Sequence, residues 1–171
     1  MFDGSKIKLV VSTGLAVAGI GIAALAAGPA YAANTTTANV GVGNVLTLSG
    51  LTAAFTLSGV PGTTQTNASA VTMNVKTNNR LGYTVTVQAN AASMSGATAG
   101  NLDTIPVSAL NVTNNLGVYT AMSNTAATTV ALTAVKSTGT GDTVTNGYQI
   151  VIPWVNSDTY SVTLNYIAAN N

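Results

Sequence analysis

Few side chains in this chain could do chemistry. Beyond residue 32 they are the carboxylates Asp103, Asp142 and Asp158, the amines Lys76 and Lys136, and the tyrosines; the chain has no His and no Cys, and all its acids are Asp. Paired-carboxylate catalysis needs two acids within a few ångströms. All three Asp fall in loop sequence, where Asp ordinarily bends and caps the backbone. Neither a nucleophile elbow nor a Ser-x-x-Lys spacing stands out, so an enzyme is not expected. Asp142, in Gly139-Thr140-Gly141-Asp142, offers one oxygen to calcium, which wants several. No D-x-D cluster accompanies it, so no cofactor is expected and calcium is the only alternative to weigh.

Two other residue types invite specific chemistry. Some surface proteins cross-link Lys to Asn through a buried acid, but period two sets Lys76 opposite Val75, on a solvent face. The only tryptophan, Trp154, lies in Ile152-Pro153-Trp154-Val155. A sole Trp of this kind is expected to fill core. Exposed, it would join Tyr119 in a binding surface for glycan or host protein. Three Asn-x-Ser/Thr acceptor patterns, at Asn34, Asn67 and Asn111, are matches that so Asn- and Thr-rich a chain produces by chance.

Composition narrows the class. The 171 residues are 47% hydrophobic but only 5% charged, against about 25% charged in ordinary globular chains. Such a chain is apolar enough to fold rather than stay disordered. Thr, Asn, Ser and Gly must carry its solubility, and neutral faces repel one another little, which suits a subunit that associates with itself. Past residue 32, Lys76, Arg80 and Lys136 balance the three Asp, so no basic surface exists for nucleic acid. Without Cys there can be no disulfide or thiolate site.

The N-terminus has the parts of a secretory signal peptide. Lys6 and Lys8 supply positive charge, Leu9–Ala27 is apolar and small, and Pro29 precedes Ala30-Tyr31-Ala32, an A-x-A cleavage site. Cleavage after Ala32 would leave Ala33 as the mature N-terminus, and about 140 residues make one domain. An uncleaved anchor is the alternative, but Gly14, Gly19 and Gly21 make a poor spanning helix. The mature protein is therefore expected to be secreted, without membrane attachment.

Beyond Ala33 the hydrophobic period is two. Val71, Met73 and Val75 alternate with polar residues, as do Tyr83, Val85 and Val87, then Tyr148, Ile150 and Ile152, then Tyr160, Val162, Leu164 and Tyr166. Weaker strands are expected near Val45–Leu48, Ala53–Leu57, Pro106–Val112, Val118–Met122 and Thr129–Val135. Ala89–Asn101 reads as a surface loop. Roughly nine short strands punctuated by turn residues predict an all-β fold, a single antiparallel immunoglobulin-like β-sandwich over residues 45–171.

Residues 33–44 form an uncharged arm in which Val40-Gly41-Val42-Gly43 alternates apolar side chains with glycine. It reads either as the first edge strand or as an arm adding a strand to the next subunit.

The stretches Thr77–Val87, Asp103–Leu110, Ile150–Trp154 and Asp158–Tyr166 resemble a group of small secreted proteins of Actinobacteria and other Gram-positive bacteria. The resemblance covers most of the chain after residue 33 and implies a surface location and a β-sandwich, with no activity attached. The chain is also loosely similar to WxL-type cell-wall-binding domains. Its Trp154 is followed by Val155 and Asn156, so their motif is absent and peptidoglycan binding does not carry over. The expectation is a surface structural protein whose partner is itself, as a fibre, pilus-like polymer or coat. The alternative is a monomeric extracellular binding or adhesion module for glycan, of the cell wall or a host, or for host protein.

Overall fold

The structure is a computed structural model and describes residues 34–114 and 117–171. Residues 30 and 32 of the cleavage site, Ala33 and the whole expected signal segment lie outside the described residues. The described residues 34–40 carry no regular secondary structure and are exposed. Residues 41–171 form one compact unit.

Among its described residues that unit is all-β and antiparallel, with eleven strands and a single 3-10 turn at Val107–Ala109. The strands are β1 (Leu46–Ser49), β2 (Thr64–Thr77), β3 (Tyr83–Ala89), β4 (Ser93–Gly96), β5 (Thr104–Pro106), β6 (Leu110–Thr113), β7 (Tyr119–Ala121), β8 (Thr128–Leu132), β9 (Asp142–Val151), β10 (Tyr160–Ser161) and β11 (Leu164–Asn170). One sheet has the order β1-β2-β9-β6-β7, and two smaller ones are β11-β3-β8 and β10-β4-β5. The small sheets follow one another along the chain. β3 leads into β4 and β10 into β11, and the Asn90 N–H donates to Thr163 O at 3.0 Å where they meet.

The period-two pattern becomes a shared core in the manner of a sandwich. Ala70, Val71, Met73 and Val75 of β2, Leu110 and Val112 of β6, and Val144, Tyr148 and Ile150 of β9 pack in one cluster with Tyr83, Val85, Val87 and Ala89 of β3 and Val130 of β8. The polar partners of these residues face out, Lys76 among them. A bulge between Asn67 and Val71 shifts the β2–β9 register. Opposite it Gly147 admits the neighbouring backbone, since a Cβ there would lie 3.0 Å from the Ala68 Cα.

Four expectations are corrected. Ala53–Leu57 is not a strand: after Ser49 the chain turns at Gly50, whose φ of 63° is left-handed, and leaves the β2 ladder except for Thr52 N–H to Thr72 O. Ala89–Asn101 is not all loop, because β4 lies within it. Its small polar residues have low strand propensity, but pairing with β5 and β10 and the burial of Met94 decide the conformation. The expected final strand from Tyr160 divides at Val162–Thr163, where the Thr163 N–H turns to Asn90 Oδ1.

The fourth is Trp154, which is 91% exposed rather than core. The last ladder bonds after β9 are Gly62 N–H to Ile152 O and Ile152 N–H to Thr63 O. Pro153 has no N–H to continue them, and the chain leaves the sheet carrying Trp154 into solvent.

Candidate functional site

The most distinctive surface of the domain is an open edge. β3 buries every inward side chain, whereas the inward residues of its neighbour β11, Leu164, Tyr166 and Ala168, are only half-buried. β11 pairs with β3 on one side, and no strand pairs with its other side among the described residues. In an antiparallel ladder alternate residues bond to a given neighbour. The bonds at the two ends, Asn90 N–H to Thr163 O and Asn171 N–H to Gly82 O, show which alternate set β3 takes. Asn165, Ile167 and Ala169 bond to β3. The backbone groups of Leu164, Tyr166 and Ala168 point away from it.

Facing this edge is Ala53–Gly59, the stretch that Gly50 turned off the sheet. Its backbone makes no hydrogen bond among the described residues, while Phe55 and Leu57 are half-buried against the core. Between Leu51–Gly59 and Pro153–Tyr166 lies a cleft of about 760 Å³, floored by Val71, Met94, Ile105, Leu110 and Ile150. Its deep wall is aromatic. The Phe55 ring lies 4.5 Å from that of Tyr148, tilted by 32°, and the Tyr148 and Tyr166 hydroxyls are 2.6 Å apart. Burial, then the neighbouring Tyr166 hydroxyl, pushes the Tyr148 phenol far above its ordinary range. Burial pushes Tyr166 up to about 12, although its hydrogen bond to Tyr148 works the other way.

The mouth of the cleft is braced by a polar network. Asp158 accepts from the Asn101 amide at 2.7 Å, from the Thr98 N–H at 3.0 Å and from the Thr98 hydroxyl at 2.9 Å. These bonds, Asn101 foremost, hold its carboxyl well below the usual range. Asp103 Oδ2 accepts from the Asn156 N–H at 2.8 Å, and Asn156 Nδ2 donates to Asn101 Oδ1 at 3.2 Å. Asp103 and Asp158 therefore converge, with their oxygens occupied in holding the 97–103 and 153–159 loops together, whereas Asp142, expected in a loop, opens β9. Asp142 is elsewhere, accepting from Thr138 N–H and raising the buried Tyr83 phenol, after burial itself. Among the described residues no three His, Cys, Asp or Glu gather as metal ligands, and no helix is long and apolar enough to cross a membrane.

The remaining sequence candidates are dispersed. Gly43 is held where Asn78 Nδ2 donates to its carbonyl at 2.7 Å, and Val45 N–H donates to Asn78 Oδ1 at 2.8 Å. Just upstream Val42 is 82% exposed, and Val40 is 88% exposed. Tyr119 is half-buried in β7. Trp154 and Leu102, the latter 92% exposed, sit on two loops that the Asn156–Asp103 bond ties together. The cleft was missed by sequence reasoning. Its only signal was the apolar alternation of Tyr160–Tyr166.

Compared with protein-family models and with curated proteins, the chain matches none.

Proposed function

We propose that the protein is a secreted bacterial surface structural subunit that self-assembles into a fibre, pilus-like polymer or coat, donating its N-terminal arm as a strand to a neighbour. The observation that carries this reading is the arm itself. Val40 and Val42 are exposed apolar side chains in a stretch with no charge, and residues 34–42 make no hydrogen bond among the described residues. An exposed, unpaired apolar segment of this kind can add a strand to another sheet edge. The neutral Thr/Asn-rich surface supports the same reading, since little charge opposes self-contact. Export rests on Lys6, Lys8 and Ala30-Tyr31-Ala32.

The topology reads as immunoglobulin-like with one strand short. β1-β2-β9-β6 matches the A-B-E-D sheet, and β11-β3 matches F-C. No counterpart of strand G lies beside β11 among the described residues.

Two measurements test the proposal. Mass spectrometry of the exported protein is expected to place the mature N-terminus at Ala33. Negative-stain microscopy is expected to show filaments or lattices with the exported chain. Deleting residues 33–44 should abolish them while the circular dichroism and melting temperature change little. Unchanged assembly after the deletion would refute the arm's role.

The exposed Trp154 favours a second reading, a monomeric adhesion module that stacks glycan on its ring. As the only tryptophan, Trp154 reports directly. An emission change on adding cell-wall or host polysaccharide, with no filaments in any sample, would select this reading; Trp154→Ala should then abolish the response.

A further inference from the structure

We propose that the cleft between Ala53–Gly59 and the free edge of β11 is the acceptor for the arm of a second copy of this chain, residues 34–43, laid antiparallel to β11 so that copies join head to tail. The inference rests on the assembly reading above and adds to it a site, a register and a direction.

The acceptor has what a strand needs and a small molecule does not. Leu164, Tyr166 and Ala168 present backbone N–H and C=O groups along one side, and the backbone of Ala53–Gly59 is unbonded on the other. Unpaired groups beside an apolar floor are costly unless a chain with the same spacing fills them. The other sheet edges offer no such floor. β7 has three residues and β8 five, and neither lines the cleft; β5, also of three residues, reaches it only through Ile105 in the floor.

The arm matches in length, polarity and taper. Thr35–Val42 and Leu164–Asn171 have the same number of residues, each spanning about 26 Å at roughly 3.3 Å per residue. With Val42 opposite Leu164, Val40 faces Tyr166 and Ala38 faces Ala168. The larger side chains then enter the open part of the cleft. The methyl of Ala38 falls where β1 closes against β11. On the other face Gly41 and Asn39 lie opposite Asn165 and Ile167, the residues of β11 that look to solvent.

Direction follows from where the arm is rooted. Asn78 holds Gly43, and the next residue, Asn79, donates from Nδ2 to Asn171 O at 2.7 Å. The arm therefore leaves the domain beside the C-terminal end of β11. The cleft mouth, at Asp158 and Tyr160, is at the opposite end. Antiparallel addition places the donor body over the mouth and its N-terminus toward the acceptor's own root, a heterologous contact that repeats without closing. Parallel addition would bring both bodies to the rooted end, which favours a closed dimer.

Engineered disulfides test this, since the chain has no cysteine of its own. Full-length Asn39→Cys and Ile167→Cys proteins, recovered after export, are mixed and oxidised. Heterodimer is expected at about tenfold the yield given by Asn39→Cys with Val151→Cys, because strand pairing raises the local concentration. Val151 is exposed on β9, away from the acceptor edge. The double variant Asn39→Cys/Ile167→Cys is expected to give a covalent ladder and cross-linked filaments. A cyclised monomer would overturn the proposal by showing that the arm fills its own cleft, and a closed dimer without a ladder would overturn the direction. Native mass spectrometry finding an apolar small molecule in the cleft of assembled protein would overturn the occupant. Wild-type filaments without heterodimer enrichment would overturn the acceptor site and leave the assembly reading intact. Absence of any wild-type assembly would instead remove the reading on which the site rests.

Discussion

Asn146→Asp is expected to unfold the domain at neutral pH. Asn146 is fully buried in β9, and its Nδ2 donates to Thr113 O at 3.1 Å and to Val130 O at 3.3 Å. One amide thus ties the end of β6, in the large sheet, to β8 in the other. Its Oδ1 accepts no hydrogen bond among the described residues. Asp places a carboxylate where two carbonyl oxygens already converge, removing both donors and burying an unpaired charge. Such a change costs several kcal/mol, set against a total stability of roughly 5–15 kcal/mol. Asn146→Leu keeps the branched shape at a somewhat larger volume and loses both donors. It should cost about 2–6 kcal/mol, since each of the two carbonyls left unsatisfied costs about 1–3 kcal/mol. Urea unfolding at pH 7 checks both. The Asp variant should regain stability as the pH falls, because the protonated acid recovers one donor, whereas the Leu variant should show no such gain over wild type.

The strands were readable wherever one face is buried under another sheet. Val71-Met73-Val75 and Tyr83-Val85-Val87 announce β2 and β3 because burial and alternation coincide there. The misses share a cause: each depends on a partner remote in sequence. β4 exists because Met94 meets the core and β5 and β10 flank it, and no local propensity says so. Ala53–Leu57 has the composition of a strand but lost its ladder to a left-handed Gly50. Trp154 looked like core by type, and a missing proline N–H one residue earlier sent it outward. Asn146 gave no sign at all, since a polar residue in an alternating strand reads as solvent-facing.

The candidate site was half visible for the same reason. The arm could be read because its alternation is local: Val40 and Val42 flank Gly41 in a charge-free run. Its acceptor could not, because a cleft is defined by what fails to arrive. Tyr160, Val162, Leu164 and Tyr166 have the pattern of a covered strand, yet they end the chain's last pairing and stay half-buried. An apolar face on the final strand, together with an unpaired apolar arm before the first, is one deficit seen at two places. In the proposed assembly each half would cover the other, so that proposal draws on two placed features beside the neutral composition.

The tyrosine pair should make the domain sensitive to alkali. Tyr148 is fully buried beneath Phe55, and its hydroxyl and that of Tyr166 are each other's partner at 2.6 Å. Tyr166→Phe leaves a buried hydroxyl without its partner and is expected to cost about 1–3 kcal/mol. The double variant Tyr148→Phe/Tyr166→Phe removes both hydroxyls and should lose less than the two single variants summed, a coupling that a double-mutant cycle reads directly. Both phenols are raised in the folded state, Tyr166 to about 12 from the ordinary 10.0. A raised folded value favours the neutral form, so its contribution is complete below pH 10 and is lost as the pH climbs toward 12. Tyr166 alone should remove about 2–3 kcal/mol across that window, at 1.36 kcal/mol per pH unit. Urea midpoints measured from pH 8 to 12 should therefore fall for the wild type, and fall less steeply for the double variant. Some decline will persist there, because Tyr83, raised by burial and by Asp142, still titrates. Equal slopes for the two proteins would mean that the hydroxyl pair does not carry the alkaline transition.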